Sequence, residues 1–548
     1  MFSGIIRLMP ETTKRLFTDD NFTPASVREL VSSLEHKDHL LVEQKQQLDK
    51  KDQEIEQLLT MVHLLRQKRF GRSSEAFNPD QLQIFDETQL DELLKQEEPE
   101  DEGRVIANTT EDKPKKKPRR RPLPAAYQRI EHIIDLPDEE KATMGNDWVF
   151  IGYDSGEQLS VIPRQHYVLV IKRAKYAPVN ESVKGAEQGI RTASRPDQII
   201  PKSIAHSSVI ADAIANKFID GLPFYRQAKR YQAEGVELSR QTMSGWTVQL
   251  ITPLTPLMKL LKQLLYEGPI MHLDETRFQV LGEANRENIQ KSYMYVYKGG
   301  PPDKPVVWYD YADNKGSQVP VDFLFPSDEK VPESTSMVLV TDDYSGFNAL
   351  AAHPAIKGHA GCWAHTRRKY HEASQGRNKS ASAFQMLGLI GKLYQIERQI
   401  KDEPAEQKQS TRQQQAKPIL DQIRKWLDKQ IPRVTPKSDL GKAIRYTDKL
   451  WDKLTLYITD GYIPIDNNPA ENAIRPFVIG RKNWLHSGSP RGAKASAMIY
   501  TLIETAKANQ LEPRHYLEQL FEHLPKAKTE AALIELLPQN FKTSDLNG

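Results

Sequence analysis

The chain has 548 residues, 38% of them apolar and 27% charged, which suits several globular domains joined by extended polar parts. No apolar run approaches the length of a bilayer span, and the N-terminal stretch MFSGIIRLMPETTKRLF lacks the cleavage site of a secretory signal, so a cytoplasmic location without membrane contact is expected. Cys362 is the only cysteine, which excludes an internal disulfide, and a net charge of +3 does not advertise a nucleic-acid binder unless its charges are clustered.

Over residues 24–69 apolar side chains recur at heptad spacing, at Val27, Leu30, Leu34, Leu41, Leu48, Ile55, Leu58, Val62 and Leu65, with Lys37, Gln44 and Lys51 interrupting the seam. That pattern predicts a coiled coil and hence a homo-oligomer; an amphipathic helix packed on its own globular body is the alternative. Residues 88–122 turn acidic (DELLKQEEPEDE) and then basic (KPKKKPRRRP), as in a flexible charged linker whose basic run can neutralise phosphates without reading sequence. Residues 123–199 contain alternating runs such as EQLSVIPRQHYVLVIKRAKYAP and predict a small β-rich module. With no cysteine before Cys362, that module lacks the donors of a structural zinc site and is expected to be metal-free.

Residues 200–255 read as helices. Ile204, Val209, Ile210, Ile214 and Phe218 give one apolar face, ended by Gly221-Leu222-Pro223. A second helix, a turn at Gly235 and a third helix capped by Ser239 follow at helix-turn-helix spacing. Arg240, Gln241 and Thr242 then become candidate DNA contacts, with Trp246 and Val248 facing inward; an ordinary helical hairpin is the bland alternative.

The stretch Pro269–Leu281, PIMHLDETRFQVL, reads as a strand with Asp274 in its middle, where a carboxylate must be paired, hydrogen-bonded or metal-bound. Strands over 292–299 and 305–313 follow, then a short helix in SQVPVDFLF and a buried strand MVLV running into Asp342-Asp343. From Asp342 to Glu471 there are 471 − 342 = 129 positions, read as a helical insertion at about 370–460, with helices at 383–401 and 417–430. In DNNPAENAIRPFVIGRK, Asn468, Pro469 and Glu471 read as helix cap, first helical residue and third. Residues 496–535 read as a C-terminal helical segment.

Each carboxylate has a plain reading: Asp274 satisfied by Arg277 or a turn amide, Asp342 as a turn former, Glu471 as the acidic member of a capping box. Were the three to converge, they would be hard ligands for Mg2+ or Mn2+, and two such ions clamp the attacking and leaving oxygens of a phosphodiester. Arg367, Arg368, Arg475, Arg481 and Lys482 would steer phosphates towards them, with His365 supporting the site. His353, His359, Cys362, His365 and His371 invite a zinc reading, but no second cysteine pair exists to close a site, so no zinc is expected.

These blocks resemble the transposases of the insertion sequence 66 family. The matching pieces include HLDET at 272–276, TDDYSGFNAL at 341–350, GCWAHTRRKY at 361–370, DNNPAENAIRPFVIGRKNWLHSGS at 466–489 and IYTLIETAKANQLEP at 499–513. The resemblance implies a multidomain α+β chain: N-terminal coiled coil, small β-rich module where relatives commonly carry a zinc finger, helix-turn-helix domain (200–255), ribonuclease-H-like α/β catalytic core (268–495) and C-terminal helices. It further implies that Asp274, Asp342 and Glu471 are the catalytic, metal-binding carboxylates of a DDE enzyme. Asp343 stands where the family usually has Gly, which leaves Asp342 and Asp343 both open as the second ligand. The implied partners are double-stranded DNA, as element ends and target, and small accessory proteins of the same element. A catalytically inactive DNA-binding regulator and a nuclease that cleaves without joining are the alternatives.

Overall fold

The computed structural model describes residues 191–541 other than 329 and 376–380, together with short stretches between 129 and 176. The heptad stretch at 24–69 and the charged linker at 88–122 lie outside the described residues. One unit spans Lys95–Pro196, and residues 197–541 belong to the other.

In the smaller unit the strands β1 (Lys175–Tyr176) and β2 (Arg191–Thr192) pair antiparallel, and the Arg173 guanidinium donates to the Ala193 carbonyl at 2.9 Å. The alternating run ahead of them, residues 165–174, forms no strand, and Tyr167–Ile171 are exposed. Alternation yields a strand only where a neighbouring strand takes up its amides.

In the larger unit three helices come first: α1 (Ser207–Phe218), α2 (Phe224–Ala233) and α3 (Arg240–Gln249). Helix α1 starts later than the apolar pattern suggests, and Ile204 is left 87% exposed because the chain is still irregular there. The α2–α3 turn passes through Gly235 at φ +80°, a conformation that only glycine adopts without strain. Ser239 caps α3 by accepting the Thr242 amide at 3.1 Å, and Trp246 is buried while Val248 is half-buried. Helix α4 (Ile251–Leu265) leads into the sheet.

The sheet runs in the order β5-β4-β3-β6-β7, with β3 (Ile270–Val280), β4 (Lys291–Gly299) and β5 (Val306–Ala312) as an antiparallel meander. Helix α5 (Val319–Leu324) follows, and then β6 (Met337–Val340) and β7 (Ile356–Ala360) add parallel to β3. The first and fourth strands of the core are therefore neighbours. Beyond β7 come α6 (Trp363–Gln375), α7 (Ala381–Gln399), a short helix Ala405–Thr411, a π-helical turn Arg412–Ala416, α8 (Lys417–Gln430) and α9 (Asp439–Lys449). The chain returns through α10 (Asn468–Trp484), the two-residue strand β8 (His486–Ser487) on the far end of β3, α11 (Pro490–Ala508) and α12 (Pro513–His523).

Two hydrophobic cores result. One joins α1–α4, the meander, α10, α11 and α12, with Trp246, Leu257, Tyr295, Phe477 and Tyr500 among its members, so the helices before the sheet are built into the same interior as the sheet. The other belongs to the insertion: Leu393, Ile423, Leu427 and Ile444 pack with Trp363 and Tyr370 and reach Val340 at the end of β6. The edge strand β5 is closed by side chains, since Thr501 and Thr505 of α11 accept the Tyr309 and Val307 amides at 2.9 and 3.1 Å. That removes a pairing edge which an antiparallel meander would otherwise expose.

Candidate active site

The parallel register pairs Met271 with Leu339 and His272 with Val340. Two residues further along each chain stand Asp274, in mid-strand, and Asp342, just past the end of β6, whose carboxylate acts on the charge of Asp274. Asp342 is fixed by an Asx turn in which its Oδ1 accepts the Tyr344 amide at 2.9 Å. Asp343 turns elsewhere, its two oxygens taking the Lys449 ammonium at 2.8 and 3.0 Å.

Glu471 reaches the same place from α10. That helix begins one residue earlier than the sequence suggests: Asn467 is the cap residue, Asn468 opens the helix, and no side chain closes a capping box. The reason is that the cap's side chain is engaged outside the helix. Asn467 Nδ2 donates to the Leu273 carbonyl at 2.9 Å, its Oδ1 meets His272 Nδ1 at 2.9 Å, and its amide donates to Cys362 Sγ at 3.3 Å. Asp466 takes the Asn468 amide at 3.1 Å and the Tyr394 hydroxyl at 2.8 Å. Two polar residues, Asp466 and Asn467, thus tie the start of α10 to β3, to Cys362 just before α6 and to the insertion. Freed from a cap, Glu471 Oε1 lies 3.4 Å from His365 Nδ1 and its Oε2 lies 3.8 Å from Arg368.

These carboxylates act on one another's charge. Burial, followed by the carboxylates of Glu275, Glu471 and Asp342, pushes the Asp274 pKa well above its usual range. Burial likewise raises Glu275 to about 7 against the opposing pull of its ion pair with Lys315. Burial lowers His272 to about 4, so it is neutral at pH 7 and its Nδ1–H donates to Asn467. Among the described residues, Glu471 Oε1 and Glu275 Oε2 are buried without a hydrogen-bond donor. Carboxylates that repel one another and leave an oxygen unsatisfied suit a hard divalent cation, so the donor set fits Mg2+ or Mn2+.

The basic residues divide. Arg368 joins the cluster, Arg475 lies one turn after Glu471, whose carboxylate acts on the arginine's charge, and Arg481 donates to Thr276 Oγ1 on β3 at 3.0 Å. Lys482 is exposed on the last turn of α10. Arg367 belongs to another face of α6, where the neighbours that act on its charge are Tyr394 and Arg398 of α7. Arg240 and Gln241 are exposed on α3, while Thr242 is half-buried against Ser239. Sequence reasoning passes over Asn467, His272 and Tyr394. The run Asp466-Asn467-Asn468 ahead of the helix carries the one available signal, three side chains able to bond a backbone at a single helix start.

Fold and site together define a mixed α/β protein whose central sheet and returning helix gather acidic side chains. Residues 202–495, which are 495 − 202 + 1 = 294 of the 548, match the family described as Transposase IS66 family, and the chain belongs to that family of DDE transposases. Two further matches flank it: residues 57–131 to Transposase C of IS166 homeodomain, and 501–539 to the IS66 C-terminal element. Among its relatives, the uncharacterized protein y4qI of Sinorhizobium fredii (strain NBRC 101917 / NGR234) is 29% identical over 510 residues, 90% of each chain. The uncharacterized protein y4hP of the same organism is 27% identical over 507 residues, 88% of each. Membership makes the chain a DNA-processing enzyme of a class that uses divalent metal ions. Among the described residues no helix is long and apolar enough to cross a membrane.

Proposed function

We propose that this chain cuts the DNA ends of its insertion sequence and joins them to target DNA by metal-dependent phosphoryl transfer, with Asp274, Asp342 and Glu471 holding two Mg2+ or Mn2+ ions. The observation that supports the reading is the parallel pairing of β3 with β6, which puts Asp274 and Asp342 on neighbouring strands, together with the rise that Glu471 on α10 and Asp342 contribute to the Asp274 pKa. The sheet order supports a ribonuclease-H-like core, an antiparallel meander with two strands added parallel to its first.

Bound ions supply Lewis-acid polarisation of the scissile phosphate and a lowered pKa for the attacking water or 3′ hydroxyl. The chain supplies the positions. On this reading Asp274 and Asp342 would offer oxygens from adjacent strands, and Glu471 would approach them from a helix anchored to β3 by Asn467. Asp342 rather than Asp343 is the second ligand, because Lys449 already neutralises Asp343. Arg368, Arg475, Arg481 and Lys482 bind phosphates near the carboxylates, His365 steadies Glu471, and Arg240, Gln241 and Thr242 contact the element end. The heptad stretch joins copies of the chain, and accessory proteins of the same element complete the assembly.

The test is strand cutting and joining with labelled element ends, target DNA and Mg2+. Asp274→Ala, Asp342→Ala and Glu471→Gln should each abolish cutting while end binding persists. Nicking by the purified triple variant would overturn the assignment. Cutting without joining by the wild type would replace transposition with a nuclease activity.

A further inference from the structure

Beside the acidic trio lies a second donor set of different chemistry. Cys362 Sγ, an imidazole nitrogen of His365 and a carboxylate oxygen of Glu471 all lie within 4.8 Å of one another. Cys362 sits immediately before α6 and His365 one turn into the structure that follows, which brings both side chains to the same side, and Glu471 comes from α10, 471 − 365 = 106 positions later. Cys362 is buried. His365 Nδ1 and Glu471 Oε1 are 3.4 Å apart, yet neither has a hydrogen-bond partner, though both atoms are buried. Two polar atoms side by side and unbonded are arranged as two ligands of one ion are. Bonds of about 2.0–2.3 Å to a tetrahedral centre put neighbouring donors roughly 3.3–3.8 Å apart, so small side-chain rotations would close the set.

We propose that Cys362, His365 and Glu471 form a three-ligand site for a borderline transition-metal ion of the zinc class. Sulfur, imidazole and carboxylate together favour Zn2+ or Co2+ over Mg2+, which prefers oxygen donors and octahedral geometry. Three protein ligands leave a fourth position for water, the pattern of open rather than closed zinc sites. On binding, the Cys362 S–H proton passes to solvent and the thiolate coordinates the ion. Arg368, near the other Glu471 oxygen, balances the negative charge that remains there. Glu471 belongs to both donor sets, so an ion held by Cys362 and His365 draws that carboxylate away from Asp274 and Asp342. Ion binding is independent of the strand-cutting reading; only this last consequence rests on it.

The test is Co2+ titration of the full-length wild-type protein followed by absorption. Because Cys362 is the only cysteine, a near-ultraviolet thiolate-to-cobalt band reports this site alone. The expected result is a band saturating at one equivalent, displaced by Zn2+ and indifferent to Mg2+. Cys362→Ser should abolish it, and His365→Gln or Glu471→Gln should weaken Co2+ affinity by at least about 100-fold. Thermal unfolding of each metal-free variant establishes that it is folded. No band in folded wild type would overturn the proposal, as would a band of undiminished affinity in both His365→Gln and Glu471→Gln. Co2+ binding without DNA cutting under Mg2+ would leave this site standing and remove the strand-cutting reading. Cutting without a cobalt band would do the reverse.

Discussion

The side-chain amide of Asn467 donates to the backbone carbonyl of Leu273 at 2.9 Å across 194 positions of sequence. The same amide group accepts from neutral His272, so one asparagine holds the start of α10 against the strand that carries Asp274. Asn467→Ala leaves a buried carbonyl and a buried imidazole N–H without partners, at about 1–3 kcal/mol each. The expected outcome is a lowered unfolding temperature together with a loss of metal-dependent cutting far larger than any loss of DNA-end binding. Chemical denaturation, gel-shift and nicking assays on the same preparation read the three effects separately.

The repulsion at Asp274 sets a pH dependence whose sign is fixed. A folded-state pKa raised above the unfolded value contributes stability that is full at low pH and lost as pH rises through the folded pKa. Asp274 is raised well above its ordinary range by burial and neighbouring carboxylates, and Glu275 to about 7 by burial. Without divalent ions, stability from these groups should therefore decline from about pH 4 upward through pH 7. His272 works in the opposite direction, since its pKa is lowered to about 4 and its contribution is lost as pH falls from about 6.5 towards that value. Asp274→Asn should flatten the decline at the alkaline side and raise the metal-free unfolding temperature near pH 7. Adding Mg2+ should stabilise the wild type more than the variant. Differential scanning fluorimetry across pH 4–8, with and without Mg2+, measures both.

Much of this arrangement is legible from side-chain pattern, and the illegible part has a common cause. The strand bearing Asp274 and helix α8 fall where periodicity puts them, because each buries one face along its own length. Ile204 does not follow its pattern, since burial depends on helix that had not yet begun. The β3–β6 adjacency is a relation between segments that no local period encodes, and family resemblance carries it. The cap of α10 is misjudged by one residue because Asn467 bonds a distant strand instead of its own helix. Arg367 and Arg368 are indistinguishable in a run of basic residues, yet adjacent positions on α6 point roughly 100° apart, and it is Arg368 that reaches Glu471. The grouping of Cys362 with His365 and Glu471 escapes cysteine counting because its third member is a carboxylate from another helix.

The insertion depends on a buried arginine. Arg412, in the π-helical turn, pairs with Glu397 at 2.7 and 2.9 Å and donates at 2.9 Å to the carbonyls of Tyr457, Asp460 and Ile463. Its side chain is only 3% exposed. An ammonium cannot reproduce the planar fork, so even Arg412→Lys should be costly, and Arg412→Met should cost about 3–5 kcal/mol by leaving Glu397 unpaired. Adding Glu397→Leu to Arg412→Met should recover part of that loss. Thermal unfolding of the single and double variants gives the coupling, and proteolysis within 376–465 reports whether the damage is local.

Asp342 and Asp343 are adjacent and chemically alike, but their surroundings assign them opposite fates. Asp342 is held by the Tyr344 amide beside Asp274, whereas Asp343 is turned to Lys449 on α9. That pair has one partner 66% exposed, so it contributes at most about 1 kcal/mol. Asp343→Gly, which restores the residue usual in the family, should therefore shift the unfolding temperature little and leave cutting within a few-fold of wild type. Asp342→Asn should reduce cutting to background while keeping the fold, because the Asx turn survives and the charged oxygens do not. If instead Asp343→Gly abolishes cutting and Asp342→Asn spares it, the second ligand is Asp343, and the carboxylate loop must rearrange when metal and DNA bind.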